Sequence, residues 1–292
     1  MALKWLERQD LDVLKWEQCI DDSLFPSLFA RSWYLDIMTD GRWQAIIDEN
    51  YKAVFPVLKK KKFGLPYITM PFLCQRTGIV TLSDHHTDPA AFSKILLARN
   101  LLKMDLKMAS PVIPLGKTNV RVNHILPLTK SYQDIRKSYH RNTVRNITTS
   151  QNSGTEITVE YDVNLMFNFI KNYDITGLTQ KFSHNVQQLL SQSIQKGSGF
   201  GLKATLNDEL VSIGFFILDS ERLYFLLCAS NENGKRVRSM YQMIDYIIKY
   251  NASKKLILDF TGSSAENIAR RNEGFGAEKE IYYHLKWNIL GL

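Results

Sequence analysis

The sequence predicts an α/β protein built on mixed sheets, with one order of elements occurring twice. Two observations carry this. By its periodicities the second half reads as strand, two helices, a three-strand antiparallel run, a helix, a strand, a short helix and a closing strand. The first half follows the same order without the short helix, so the halves share architecture and not residue identity. A length of 292 residues suits two domains, divided here as 1–129 and 130–292.

In the first half, LKWLER (3–8) is the opening strand, and DLDVLKWEQCI (10–20) and PSLFARSWYLDIM (26–38) space their apolar residues as helices do. RWQAIID (42–48) and KAVFPVLK (52–59) form a hairpin across ENY, and PYITMPFL (66–73) is the third strand. DPAAFSKILLARNLLK (88–103) is the next helix, followed by the strands LKMAS (106–110) and VRVNHILPL (120–128). The run KKKK (59–62) reads as a solvated edge that discourages pairing with other chains.

The second half opens with a basic helix over 131–151 that ends at the turn NSG. TEITVEY (155–161) alternates as a strand does, Asp162 caps the helix 162–173, and Gly197 closes the helix 182–197. GFGLKATL (199–206) and LVSIGFFIL (210–218) form a hairpin across NDE, and RLYFLLCAS (222–230) is the third strand. The helix SMYQMIDYIIKY (239–250), the buried-type strand KLILDF (255–260), the short helix SAENIARRN (264–272) and the strand EKEIYYHLKW (278–287) complete the order. Ser263 and Ser264 are N-cap candidates for that short helix, with Glu266 placed for a capping box.

Composition excludes several classes. No run of eighteen apolar residues occurs, so no membrane span is expected, and MALKWLERQD lacks the apolar core of a signal peptide. A cytoplasmic protein is the expectation. Cys19, Cys74 and Cys228 are widely spaced and odd in number, which argues against a disulfide framework and against a structural zinc. No metal site is expected. GxSxG, HExxH, GxxxxGK[ST] and GxGxxG are all missing, which removes the common hydrolase, metalloprotease, NTPase and dinucleotide readings. The net charge of +8 is shared evenly, with 17 cations to 13 anions through Thr129 and 20 to 16 after it. Such a balance suits an anionic ligand: a nucleotide, a coenzyme or an RNA.

An antiparallel meander followed by a helix and a parallel strand lets RLYFLLCAS and KLILDF splay, so that strand N–H groups can bond an acyl group. The loop NENGKRVRS (231–239) lies at the mouth of that opening, where backbone donors and the helix dipole favour an anion. Three cations at the start of a helix oppose its dipole unless an anion offsets them. The candidate donor-binding residues are Cys228, Ser230, Gly234, Lys235, Arg236, Val237, Arg238 and Ser239. For proton chemistry, Asp259 is the best-placed carboxylate, with helix capping as its competing role. Tyr241 and Tyr224 are candidate proton donors, with core packing as the competing role. Nothing basic adjoins Cys228 in sequence, and it reads as a packed thiol. On the helix 131–151, Lys137, Arg141 and Arg145 are spaced four apart on one face, beside Tyr139 and His140. These five are the candidate contacts to a nucleic acid or acceptor, against the plainer reading of a solvated helix.

Two stretches carry a family resemblance. RLYFLLCAS–NENGKRVRS–MYQMIDYIIKY resembles the strand, pyrophosphate loop and helix of the GNAT acyltransferases, and LILDFTGSSAENIARRNEGFGAEKEIYY resembles their closing strand–helix–GF–strand segment. The resemblance covers roughly residues 155–287. The doubled order, the basic helix SYHRNTVRNI and the ending DFTGSS…GFGAE resemble the Fem-type aminoacyltransferases in particular.

That resemblance implies two GNAT-like domains in tandem, the first degenerate and on the acceptor side, the second binding the donor. It implies transfer of an acyl or aminoacyl group from a coenzyme A thioester such as acetyl-CoA, or from aminoacyl-tRNA, to an amine. The acceptor would be a small molecule or a peptidoglycan precursor, and no metal or prosthetic group would be needed. The sequence departs from the family in three places. The loop has the single glycine Gly234, with Val237 where flexibility is expected; Arg270 stands where acetyltransferases place a tyrosine; and Asn272 stands where Fem-type sequences carry a lysine. The alternatives are a GNAT-like pair that binds without catalysing, and an RNA-binding protein that uses its basic faces.

Overall fold

The computed structural model describes residues 3–48, 50–62, 64–85, 87–109, 117–174, 176–262 and 265–289. The chain divides into two compact units, one of Met1–Arg121 with Ile281–Leu292, the other of Val122–Glu280. This division falls within a strand at 121/122 and within the last strand at 280/281.

The first unit contains β1 (Leu3–Glu7), α1 (Val13–Asp21), α2 (Ser32–Thr39), β2 (Gln44–Asp48), β3 (Ala53–Val57), β4 (Lys59–Lys62), β5 (Leu65–Thr69), β6 (Val80–Thr81), α3 (Pro89–Leu97) and β7 (Lys103–Met108). The expected helix 26–38 is a 3-10 turn at Leu28–Ala30 followed by α2. Asp12 and Asp88 cap α1 and α3 through backbone amides, and Pro89 opens α3, where a missing N–H costs nothing. Strands β1, β2 and β3 pair antiparallel. Strands β4 and β5 pair antiparallel, and β5 and β7 pair parallel. Phe55 and Phe92 meet edge to face, centroids 6.3 Å apart, in a core that includes Leu106 and Leu285.

The chain continues through β8 (Lys117–Pro127), α4 (Tyr132–Lys137), α5 (Arg141–Asn152), β9 (Glu156–Glu160), α6 (Val163–Tyr173), α7 (Leu178–Lys181), α8 (Ser183–Gln195), β10 (Gly199–Leu206), β11 (Glu209–Asp219), β12 (Arg222–Ser230), α9 (Glu232–Arg236), α10 (Ser239–Asn251), β13 (Ile257–Asp259), α11 (Glu266–Gly274) and β14 (Glu278–Asn288). In the second unit β9, β10, β11 and β12 pair antiparallel in turn, β12 and β13 pair parallel, and β13 and β8 pair antiparallel. In the first unit β7 and β14 pair antiparallel, from Tyr283 opposite Met108 to Asn288 opposite Lys103. The strands of the first unit fall in two ladders, β1–β2–β3–β6 and β4–β5–β7–β14, and those of the second in one. One ladder in each unit is closed by a strand from the other half of the sequence: β14 in the first unit, β8 in the second.

Two local readings are corrected. The helix expected over 131–151 is two helices, α4 and α5, parted at Ser138–His140. The reason is the burial of Tyr139, whose ring packs on Phe275 while the amide of His140 donates to Gly274 O at 2.9 Å. The stretch 231–239 is not an open loop but the short helix α9, ended by Val237 and joined to α10 through Arg238. The N-cap expected from Ser263 and Ser264 lies outside the described residues; α11 begins at Glu266 behind Ala265.

Glycine sets how closely α10 lies on its sheet. A Cβ at Gly214 of β11 would stand 2.7 Å from Met243 Sδ of α10, so the bare backbone is what admits the thioether. Beside it the rings of Phe200, Phe216 and Phe225 stack in a row, centroids 5.5 and 4.6 Å apart. Stacked rings of this size dominate the stabilisation of a core.

Candidate functional site

The second unit contains a parting between two parallel strands. Strands β12 and β13 are in register at Arg222–Ile257, Leu223–Leu258 and Tyr224–Asp259, and β12 then runs on to Ser230 while β13 stops. The Thr261 hydroxyl donates to Phe225 O at the point of divergence. On the other side β12 stays paired with β11 as far as Ser212–Ser230, with a register shift at Phe215/Phe216. Asn231 donates its amide to Val211 O of β11. Alternation along the strand then turns the amides of Cys228 and Ser230 away from β11, toward the side that β13 has vacated.

The element that follows this strand end is built differently from a glycine-rich phosphate loop. Asn231 caps α9, its Oδ1 accepting from the Gly234 amide at 2.8 Å. A Cβ at Gly234 would lie 2.3 Å from Val211 O and 2.6 Å from Ser212 Oγ. Gly234 is thus a packing glycine that lets α9 touch β11. The turn into α10 is made by Arg238 at φ +62°, a left-handed conformation that costs a side-chain-bearing residue roughly 1–2 kcal/mol. Ser239 is fully buried; its hydroxyl lies 2.5 Å from Ser212 Oγ and donates to Gly234 O, while Ser212 Oγ contacts Ser230 Oγ at 2.6 Å. Val237 is buried as well. Lys235 pairs with Glu232 at 2.8 Å and Arg236 donates to Asn233 Oδ1 at 3.0 Å, both on the exposed side of α9. Cys228 departs from its expectation: its thiol is exposed, on a strand whose other residues 223–229 are buried.

Asp259 is fully buried, and each of its carboxylate oxygens has a partner. Arg222 donates to Oδ2 at 2.7 Å, and the Asn123 side chain and the Thr261 amide donate to Oδ1 at 2.9 Å each. The same guanidinium forks onto Glu280 at 2.8 and 3.1 Å. Burial alone would lower the Arg222 pKa; the hydrogen bond to Glu280 and the charge of Asp259 outweigh it and raise the pKa. Asp259 therefore joins β8, β12 and β13 in one ion-paired cluster. Tyr224, buried at 1% exposure, lies opposite Asp259 in register.

Tyr241 belongs to a second cluster. It stacks on Phe275 with centroids 5.9 Å apart, and Tyr139 meets the same ring edge-on at 5.2 Å. Two residues assigned to different roles by sequence are thus brought together by the GF motif. Its glycines are needed for contact: a Cβ at Gly274 would stand 2.4 Å from Thr143 Oγ1, and one at Gly276 2.1 Å from Ser138 Oγ. Behind this cluster sits a residue that the sequence reading missed. Asp245 of α10 accepts from Tyr139 at 3.0 Å and from Tyr132 at 2.9 and 3.0 Å, and Arg136 donates to Tyr132 at 2.7 Å. Burial raises the Asp245 carboxyl above its ordinary value despite those hydrogen bonds, and burial with the Asp245 charge raises both tyrosines. An acid inside the apolar stripe Met243–Ile244–Ile247–Ile248 was the available signal.

The basic residues do not form the single face that a continuous helix would give. Lys137 ends α4 and pairs with Asp134 at 2.7 Å. His140 precedes α5, and Arg141 and Arg145 with Asn142 and Val144 line an open cleft along it. Arg145 donates to Asn142 Oδ1 at 2.6 Å. Among the described residues no cluster of His, Cys, Asp and Glu has the makings of a metal site, and no helix is long and apolar enough to cross a membrane.

No family model and no curated protein matches the sequence. Solved structures do match in shape. FemX aligns with a TM-score of 0.65 at 12% identity, covering 98% of this chain and 97% of that one. The C-terminal domain of a putative lysylphosphatidylglycerol synthetase from Agrobacterium fabrum aligns at 0.61 and 9% identity, covering 95% and 92%. L-PGS from Bacillus licheniformis aligns at 0.56 and 10% identity, covering 94% and 91%. At such identities the likeness is one of fold, and it meets the expectation raised by the GF ending and the strand–loop–helix unit: the chain has the mixed α/β fold of the Fem/GNAT-like structures.

Proposed function

We propose that this protein transfers an acyl or aminoacyl group to an amine, with the donor seated in the second unit. The observation that carries the reading is the parting of β12 and β13, with the amides of Cys228 and Ser230 turned into it and the N-terminus of α10 following. A carbonyl lying in the gap would take its oxyanion hydrogen bonds from those amides, and the donor's phosphates would lie toward α10 and Arg238. Fold likeness to FemX and to the lysylphosphatidylglycerol synthetase domains supports this class of reaction. The donor is acetyl-CoA or another coenzyme A thioester, or an aminoacyl-tRNA. The acceptor is a small amine or a peptidoglycan precursor, and Arg141 and Arg145 are the side chains offered to an anionic partner. Asp259 serves as the ion-paired anchor of the strands, so the proton chemistry belongs to other groups.

A second reading, a GNAT-like protein that binds without catalysing, is favoured by one set of contacts. Gly234 is taken up by packing, the left-handed turn into α10 is made by Arg238 and not by a glycine, and Asp259 is committed to Arg222. Calorimetry with acetyl-CoA and with charged tRNA, followed by a turnover assay on whichever binds, separates the readings. Binding in the range of tens of micromolar, roughly −6 kcal/mol, with product formation supports the transferase. Binding without product supports the silent module, and no binding of either donor sinks the transferase reading. A tRNA donor predicts steep salt dependence and sensitivity to Arg141 and Arg145; a coenzyme A donor predicts that Arg236 and Arg238 dominate.

A further inference from the structure

In the second unit His124 of β8 is buried at 1% exposure, yet one of its ring nitrogens is unmatched. Its Nε2 lies 3.3 Å from Glu273 Oε1, whereas Nδ1 is buried with no hydrogen-bond partner among the described residues. The backbone locates the ring. His124 O accepts from Phe260 N at 3.1 Å, one row beyond Asp259, where β12 and β13 have already parted. Alternation puts His124 on the opposite sheet face from Asn123, whose amide serves Asp259. Leu126, Leu258 and Phe260, on that same face, share a core with α10 and Phe275.

A carboxylate on one ring nitrogen holds the proton there and leaves the other nitrogen as a lone pair. A lone pair buried without a donor costs stability and is the kind of exception that a ligand hydrogen explains. Glu273, more than a third exposed, is also paired with Lys279 at 3.2 Å, so the carboxylate is held from two sides. The Lys279 hydrogen bond, then that from His124, keeps the Glu273 carboxyl below its ordinary range and ionised opposite the ring.

We propose that His124 Nδ1 accepts the proton of the incoming amine, an inference that rests on the transferase reading above. The amine nitrogen forms its bond to the donor carbonyl carbon as the bond from that carbon to sulfur or oxygen breaks. The proton lost by the amine moves to Nδ1, and from Nδ1 to the departing thiolate or alkoxide, so the ring ends neutral as it began. While charged, the ring is balanced by Glu273. The other charged groups near it are Lys279, which faces Glu273, and Arg222, Asp259 and Glu280 across the sheet.

Nitrogen-15 NMR of the imidazole-labelled protein without any donor tests the first half of the inference. Protonation of the neutral His124 ring at Nε2 is expected; a neutral ring protonated at Nδ1 overturns the proposal whether or not the protein is a transferase. Kinetics with the donor found by calorimetry test the second half. His124→Asn should lower kcat by about 100-fold or more and abolish the acid limb of its pH profile, with donor affinity within twofold of the parent. His124→Gln serves as the second variant if thermal melting shows His124→Asn to be poorly folded. Parental kcat and an unchanged pH profile in a folded variant defeat the role of His124 and leave the transferase standing. Failure of the parent protein to bind or turn over either donor defeats the transferase reading instead, and this use of His124 with it.

Discussion

The rings of Tyr139 and Phe275 meet edge to face, 5.2 Å between centroids and 82° between planes. Through this contact the GF motif holds the break between α4 and α5, and through Tyr241 it holds the first turn of α10. Truncating a fully buried phenylalanine removes both contacts and leaves a cavity. Phe275→Ala should therefore cost about 3–5 kcal/mol, read from urea unfolding, and Phe275→Leu distinctly less. A Phe275→Ala protein that unfolds at the parental urea concentration would refute this account of the motif.

Gly234 and Arg238 should respond in opposite directions. Gly234→Ala forces a methyl group onto Val211 O and should lose about 1–3 kcal/mol in thermal or urea unfolding. Arg238→Gly relieves the left-handed residue and should gain about 0.5–1 kcal/mol after the added chain entropy of glycine is counted. The same change removes a cation from the start of α10, so affinity for an anionic donor should fall roughly tenfold. Loss of stability in Arg238→Gly would contradict the assignment of the strain.

The Arg222–Asp259 pair is buried, and removing one partner strands the other's charge. Arg222→Met should cost about 3–5 kcal/mol. Adding Asp259→Asn in the same chain should return part of that loss, because the stranded charge is then gone. Chemical denaturation of the two single variants and the double variant measures the coupling, and strictly additive losses would show that the pair is not energetically linked.

Asp245 gives stability a pH dependence of definite sign. Burial raises its carboxyl above the ordinary 3.8, so the folded protein binds this proton more tightly than the unfolded chain does. Its contribution is full below the unfolded pKa and is lost as pH rises through the folded one. Asp245→Asn removes that dependence. Over the window beginning near pH 4, parental stability minus that of Asp245→Asn should fall with pH, by no more than about 1.4 kcal/mol per unit, and then level off. Parallel stability curves for the two proteins would count against it.

Elements with a strong period were legible in the sequence. The hairpin of β10 and β11, the strand β12 and the helix α10 fall within a residue or two of their expected limits. What was hidden depended on distant partners. Ile135, Tyr139 and Ile147 continue an apolar helical spacing through a break that Phe275 and Gly274 create from more than a hundred residues away. Asp259 could be placed at a strand end, but its guanidinium partner is 37 residues upstream. Cys228 sits among apolar neighbours in the sequence, and nothing local in that run marks it as the exposed one. Asp245 and His124 are single polar residues in apolar runs, and their chemistry comes from Tyr132, Tyr139 and Glu273, which no local pattern brings near. The lysines and arginines were plain in the sequence; which of them are paired was not.

The closing of one ladder in each unit by a strand from the other half has a consequence for biosynthesis. The nascent chain can lay β8 against β13 once residue 259 has been made, so the strand pairing of the later unit can be finished first. The earlier unit, although translated first, must wait with β7 unpaired on one side until residues 283–288 emerge from the ribosome. An exposed strand edge held open for most of translation is a site for mispairing. Dissecting this protein at residue 129/130 would separate β14 from β7 and leave the first fragment permanently in that unfinished state.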